Sequence, residues 1–351
     1  MRIAQISPLF ESVPPKLYGG TERVVAYLTD ALVQAGHEVT LFASGDSHTT
    51  AELASGRDCA IRLDDAPLKG AVAAHLAMLH DVRKRAHEFD ILHFHIDLLP
   101  MPLFENFAQR TVSTLHGRQD KKDLPAFYRR WSDFPLVSIS DSQRKPMPWA
   151  NWLGTVYHGL PEDLYAPPEN PRGDYLAFLG RVSPEKRLDR AIHIARRAGI
   201  PLKIAAKVDA NDRVYFRETI RPLLDQDGIE FIGEINDRDK PDFLGHARAL
   251  LFPIDWPEPF GLVMIEAMAC GTPVVGWRCG SVPEVLDEGV TGHIVDSLTA
   301  ATEAVQNIDR LDRRTVRQVF ERRFSATAMA REYVALYQEL LDRPNLRMLQ
   351  A

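Results

Sequence analysis

The chain has 351 residues, 45% of them hydrophobic and 26% charged, enough length for two domains of ordinary size and too apolar a composition for disorder. Against 48 acidic residues stand 42 basic ones, a net charge of −6, so there is no cationic excess of the kind nucleic-acid binding uses. The three cysteines, Cys59, Cys270 and Cys279, are too few and too scattered for a disulfide framework and point to a reducing, cytoplasmic setting.

From the N-terminus, short apolar runs alternate with helical patterns, the signature of parallel sheets with crossover helices. Arg2–Ser7 predicts a first strand; the run is too short for a signal-peptide core, and Glu11 soon follows it. A long loop then ends in Tyr18-Gly19-Gly20-Thr21-Glu22, ahead of a helix from about Thr21 to Ala35 that Gly36 closes. Paired glycines before a helix N-terminus let the backbone approach an anion, and equally make a plain tight turn. No G-x-G-x-x-G follows the first strand, which argues against a dinucleotide-binding dehydrogenase. Further strands are predicted at Glu38–Ala43, Asp90–His95, Thr111–Leu115 and Leu136–Ile139. Thr114-Leu115-His116-Gly117 puts His116 just past a strand end, as a ligand-facing group or an ordinary polar residue. His93 and His95 share one face of their strand; with no third ligand at a convincing spacing, lining or packing is favoured over zinc. His158 is left without a reading.

Proline and glycine crowd Gly159-Leu160-Pro161, Pro167-Pro168 and Pro171-Arg172-Gly173, which divides the chain into domains 1–160 and 161–324. The pattern restarts with strands at Tyr175–Leu179, Leu202–Ala206, Ile229–Ile232, Ala249–Pro253, Pro273–Gly276 and Gly292–Val295. The first runs into Gly180-Arg181-Val182-Ser183-Pro184-Glu185-Lys186. Arg181 and Lys186, near a helix start, can neutralise a departing diphosphate or form a solvated charge pattern.

The most telling stretch runs from Pro257 to Gly271. Glu258 and Glu266 flank Phe260-Gly261-Leu262-Val263, where a helix opening near Phe260 offers free N–H groups to phosphate. Glu266 interrupts an apolar helix that stops at Gly271-Thr272-Pro273, and a carboxylate there requires a partner. On a regular helix the two acids are about 12 Å apart, far enough to grip opposite ends of a ligand; singly, they read as a loop acid and a structural carboxylate. Glu266 and the Gly-Thr-Pro break also exclude a transmembrane reading of Phe260–Trp277. A last helix, in segment 325–351, is capped by Ser325 and carries Met329, Tyr333, Leu336, Tyr337 and Leu340 at helical spacing. That stripe suits packing back towards the N-terminal domain, bracing the two halves.

Taken together, Gly19-Gly20, Thr114-Leu115-His116, Gly180-Arg181 with Glu185-Lys186, and Glu258-Pro-Phe-Gly with Glu266-Ala-Met-Ala-Cys-Gly-Thr-Pro-Val resemble the retaining glycosyltransferases of family 4. The resemblance spans nearly the whole chain. Through Asp255-Trp256-Pro257-Glu258 and Gly280-Ser281-Val282-Pro283-Glu284 it is similar to members that act on small molecules such as antibiotics or pterins. The resemblance implies the GT-B fold, an α/β architecture of two Rossmann-like domains facing across a cleft, with the acceptor mainly on 1–160 and the donor mainly on 161–324. It implies transfer of a hexosyl group from a nucleoside diphosphate sugar, UDP-glucose by family frequency, to a hydroxyl of a small molecule or glycan, without cofactor or metal. By the same resemblance His116 lies beside the anomeric carbon, and Arg181 and Lys186 hold the diphosphate. Glu258 contacts sugar hydroxyls, and the backbone of Phe260, Gly261, Leu262 and Val263 lies near sugar and phosphates. Glu266 binds the ribose, Gly19 and Gly20 close over the phosphates, and Gly233 lies near the base. The chain departs from the family at His158-Gly159, where Asn-Gly is frequent, and at Ala205-Ala206-Lys207, where a glycine is common. A sugar-nucleotide epimerase and a non-catalytic sugar-nucleotide-binding subunit are the rival readings. The expected partners are the nucleotide sugar and an acceptor shaped by loops such as Ser44–Arg57 and Gly117–Asp123; peripheral membrane contact is left open.

Overall fold

In parallel sheets both faces of each strand are covered, so central strands read as unbroken apolar runs. The computed structural model, which describes residues 1–16, 19–64 and 70–343, contains two such sheets. Leu17 and Tyr18 of the glycine loop, and the end of segment 325–351, lie outside the described residues. Met1–Gly159 and the helix Ala326–Asp342 belong to one compact unit, and Leu160–Ser325 forms the other.

The first unit holds β1 (Arg2–Ile6), β2 (Glu38–Ala43), β3 (Glu52–Ser55), β4 (Ile91–Phe94), β5 (Thr111–Thr114), β6 (Leu136–Ser138) and β7 (Trp152–Thr155), in the order β3-β2-β1-β4-β5-β6-β7. All pairings are parallel. The edge strands β3 and β7 are absent from the sequence expectation. Each has only four residues, is at most partly buried and lacks an apolar run of the length that marks the other strands. Beneath the sheet, Phe42, Phe89, Phe94 and Phe104 gather in a core with Met78 and Leu79.

The second unit holds β8 (Leu176–Arg181), β9 (Leu202–Lys207), β10 (Ile229–Gly233), β11 (Ala249–Phe252), β12 (Val274–Trp277) and β13 (Gly292–Val295), in the order β10-β9-β8-β11-β12-β13, again parallel. Every strand of this half falls where the sequence predicts it, within two residues at either end. Its core packs Leu176, Phe178, Ile204 and Leu251 against Ile192 and Ala195 of the helix Leu188–Ala198.

The last helix, Ala326–Asp342, packs on the helix Gly20–Gln34 and on β7. It buries Met329, Tyr333, Tyr337 and Leu340, and the Leu336 side chain lies over Gly154. The stripe thus packs within the first unit. No helix among the described residues is long and apolar enough to cross a membrane.

Candidate active site

In an open parallel sheet the connections leave in opposite directions at the strand where the order reverses, which opens a crevice at the carboxyl ends. In the second unit that reversal lies between β8 and β11. Arg181 is the last residue of β8, Lys186 lies in the turn that follows it, and the loop after β11 carries Glu258. Lys186 Nζ donates to Glu258 Oε2 across this gap, and the Trp256 indole N–H donates to the same oxygen at 3.0 Å. The ammonium also stands 5.1 Å from the Trp256 ring centre and 5.6 Å from that of Phe252, a cation–π seat. Arg181 donates to Glu185 Oε1 at 2.7 Å and lies 3.6 Å from Asp209 and Asp212. Both cations of the sequence reading therefore already face carboxylates, and a diphosphate must compete for them. Their side chains keep 38% and 20% of their exposure, so they are open to that exchange.

Two supports of this loop pair escaped the sequence reading. Arg187, directly after Lys186, is in the left-handed region at φ 54°, the only such non-glycine among the described residues. That conformation costs about 1–2 kcal/mol. Asp189 grips its guanidinium from 2.8 Å and Asp255 from 2.8 Å, and these bonds hold the group firmly charged. Behind Glu258, Gly280 at φ 56° sits so close that a Cβ would overlap the Glu258 backbone N and O. Ser281 N donates to Glu258 O at 3.0 Å, and Ser281 Oγ to Phe260 O at 2.6 Å. The turn of Gly280-Ser281-Val282-Pro283-Glu284 is thus a buttress for the Glu258 loop. The sequence carried this segment only as part of a family resemblance, with no structural role attached to it.

The helix beyond Glu258 runs Leu262–Ala269, not from Phe260. Gly261 at φ 84° is left-handed and cannot belong to it. The helical spacing used to separate Glu258 from Glu266 therefore does not apply to its first four residues, because Glu258 lies in the preceding turn. The acids are kept apart by separate lysines instead. Glu266 is 2% exposed; its Oε1 accepts from Lys240 Nζ at 2.8 Å, whereas Oε2 is buried without a hydrogen-bond partner. Lys240 also pairs with Asp237 at 3.0 Å. At the other end of this helix Arg317 donates to Ala269 O at 2.6 Å, a cation where the helix dipole favours one. Gly233, at φ 82°, closes β10 on the sheet edge beside a bulge. Ala205 and Ala206 are buried in β9, and Lys207 at its end faces Asp209 at 3.4 Å.

In the first unit the reversal lies between β1 and β4, and polar side chains crowd the carboxyl ends there. Gln5 on β1 stands opposite His93 on β4. His95 Nε2 lies 2.8 Å from Gln5 Oε1, and His95 Nδ1 lies 2.9 Å from His116 Nε2. His93 uses both nitrogens, Nδ1 with the Tyr337 hydroxyl and Nε2 with Thr114 Oγ1, each at 2.7 Å. Thr114 in turn meets the Tyr333 hydroxyl at 3.0 Å. His158 stacks on His116 with ring centres 5.3 Å apart. Burial disfavours the imidazolium in all four rings, driving His93, His95 and His158 well down and His116 to about 3. His116 Nδ1 is buried and has no hydrogen-bond partner. Its loop is fixed by Gln143, whose amide donates to Leu115 O and Gly117 O at 2.7 and 2.8 Å. Gln5 and Gln143 were missed because a glutamine in a short strand or helix has no motif of its own.

Gly19 is extended at φ −164° and the helix begins at Gly20, with no side-chain cap. Buried Glu11 and Glu22 lie against Gly19, and Arg62 pairs with Glu11 at 3.1 Å. Burial raises the Glu22 carboxyl above its ordinary range. This helix start already carries the protein's own acids, so it is a weaker seat for phosphate than the glycines alone implied.

The chain has relatives among known proteins. The chain is 26% identical to a phosphatidyl-myo-inositol mannosyltransferase of Mycolicibacterium smegmatis, over 96% of this chain and 94% of that protein. A D-inositol 3-phosphate glycosyltransferase of a Mycobacterium species is 29% identical over 41% of this chain and 36% of its own length. Among solved structures, AviGT4, a glycosyltransferase involved in avilamycin A biosynthesis, superposes with a TM-score of 0.73 at 23% identity, covering 98% of each chain. Anabaena Alr3699/HepE in complex with UDP and glucose superposes with a TM-score of 0.70 at 17% identity, covering 97% of this chain and all of that one. These two likenesses bear on the fold. Residues 162–320 match the family model for glycosyl transferases group 1, and residues 18–144 match that for glycosyltransferase family 4. With both units matched, the chain belongs to glycosyltransferase family 4 and is a glycosyltransferase of the GT-B fold.

Proposed function

We propose that this enzyme transfers a hexosyl group from a nucleoside diphosphate sugar to an acceptor hydroxyl, with retention of anomeric configuration and without a bound metal. The observation that carries the reading is the charge arrangement at the β8–β11 reversal. Lys186 and Glu258 meet there beside the opening of the helix Leu262–Ala269, whose first N–H groups have no partner within the helix. A diphosphate seated at those N–H groups draws Lys186 and Arg181 from their carboxylates, and Glu258 is released to accept from sugar hydroxyls. Glu266, with Lys240 on one oxygen and the other unsatisfied, takes the ribose hydroxyls. In this proposal Gly233 is assigned to the base, and of the first unit Gly19 and Gly20 are assigned to the phosphates and His116 to the sugar.

In the reaction the bond from the anomeric carbon to the diphosphate oxygen breaks, and a bond to the acceptor oxygen forms on the same face. The acceptor proton passes to the departing phosphate, so the products are glycoside and nucleoside diphosphate. Negative charge grows on the leaving group, where fixed cations stabilise it most. The HepE complex with UDP and glucose favours UDP-glucose as donor, while the mannosyltransferase relative favours a mannosyl donor. The acceptor is a small molecule or glycan. A thermal-shift panel of nucleotide sugars distinguishes the donors, because a ligand that binds only the native state raises its melting temperature. Product NMR then reads the anomeric configuration, and activity persists in EDTA. Lys186→Ala should lower turnover about 10²–10³-fold with the fold intact; near-normal turnover refutes the assignment. Donor conversion without an acceptor identifies an epimerase instead, and nucleotide binding with neither transfer nor donor hydrolysis identifies a non-catalytic subunit.

A further inference from the structure

The geometry points to Gln5 and His95 as positioning residues that hold His116 with its proton on Nε2, leaving Nδ1 a bare acceptor for a substrate hydroxyl. The assignment follows one bond at a time. Gln5 Oε1, 2.8 Å from His95 Nε2, is a carbonyl oxygen and has no proton to give, so Nε2 donates. His95 is buried and neutral, hence its Nδ1 carries only a lone pair. His116 Nε2, 2.9 Å away, must then donate to it. The neutral His116 ring is left with an unprotonated Nδ1, the atom that is buried and unsatisfied within the protein.

The donors on the far side of the amide run in the same sense. Its Nε2 lies 3.3 Å from both the Tyr337 hydroxyl and His93 Nδ1. Tyr337 donates to His93 Nδ1 at 2.7 Å, so His93 carries its proton on Nε2 and donates to Thr114 Oγ1 at 2.7 Å. Thr114 then donates to the Tyr333 hydroxyl at 3.0 Å. Turning the amide over reverses every donor in this chain and moves the His116 proton to Nδ1. One amide on β1 therefore sets, through His95, the tautomer of a ring that it does not touch. A hydroxyl donating to His116 Nδ1 is oriented by that lone pair; a proton there repels it.

This inference rests on the reading that His116 faces the reacting sugar, but its first test does not. In protein labelled with ¹⁵N-histidine, with His116 assigned by its loss in His116→Ala, the ring should show the Nε2–H pattern at pH 7.5. An Nδ1–H pattern or an imidazolium overturns the proposal whether or not transfer is detected. Gln5→Met should mix the two tautomers and lower kcat at least tenfold, with donor KM nearly unchanged. His95→Asn keeps an acceptor where Nδ1 stood and should restore both the tautomer and turnover relative to His95→Leu. A Gln5→Met enzyme with an unmixed tautomer and full turnover overturns the proposal. Should transfer occur but His116→Ala leave kcat unchanged, the positioning role fails while the glycosyltransfer reading stands.

Discussion

Lowering the pH from 7.5 to 5.5 should cost the first unit most of its stability. Its four contacting imidazoles, His93, His95, His116 and His158, are buried, and burial holds each below the ordinary histidine value. The unfolded chain takes up protons near pH 6.5. Below that pH it binds protons that the folded chain refuses, so stability falls as pH falls. The loss begins near 6.5 and continues, for His116, down to its folded value of about 3. At pH 5.5 each ring forgoes RT ln 11, about 1.4 kcal/mol, so four forgo about 5–6 kcal/mol. That is comparable to the whole stability of a typical domain, ~5–15 kcal/mol. Burial lowers His37 and His75 as well, which adds to the loss. Buried Glu22 is raised and acts in the opposite sense, so the net figure lies below the histidine sum. Urea unfolding followed by near-UV circular dichroism at the two pH values measures the difference, and His158→Gln should remove about one ring's share, ~1.4 kcal/mol. A net loss smaller than that single share would show that the rings titrate freely in the folded protein, and the desolvation argument would be wrong.

Three further outcomes are expected. Gly280→Ala places a methyl against the Glu258 backbone in a left-handed conformation; displacing that loop by an ångström should cost about a hundredfold in kcat/KM, with a lowered melting temperature, and wild-type kinetics would exclude the buttress. Glu266→Gln removes the charge that holds Lys240; if Glu266 grips the ribose as proposed, donor KM should rise about tenfold with kcat little changed, as initial rates against donor concentration will show. Arg187→Gly relieves the left-handed strain but loses the pairs to Asp189 and Asp255; if those pairs seat Lys186, turnover should fall even where thermal stability does not, a split that paired melting and rate measurements resolve.

The chain's periodicity determined its fold class. Apolar runs bounded by helical patterns locate all the central strands, because a strand buried on both faces has to be apolar throughout. The four-residue strands β3 and β7 leave no such trace, being short and at most partly buried. The candidate site residues drew notice for a related reason: Arg181, Lys186, Glu258 and Glu266 are charges set against strand ends or inside an apolar helix, where an unpartnered charge is costly. Their partners were not legible. That Lys240 answers Glu266, that Gly280 backs Glu258, and that Gln5 reaches His116 through His95 are contacts between residues distant in sequence. Local spacing carries no record of them, because hydrogen bonds and steric limits act across space, and only the tertiary structure brings those atoms within reach.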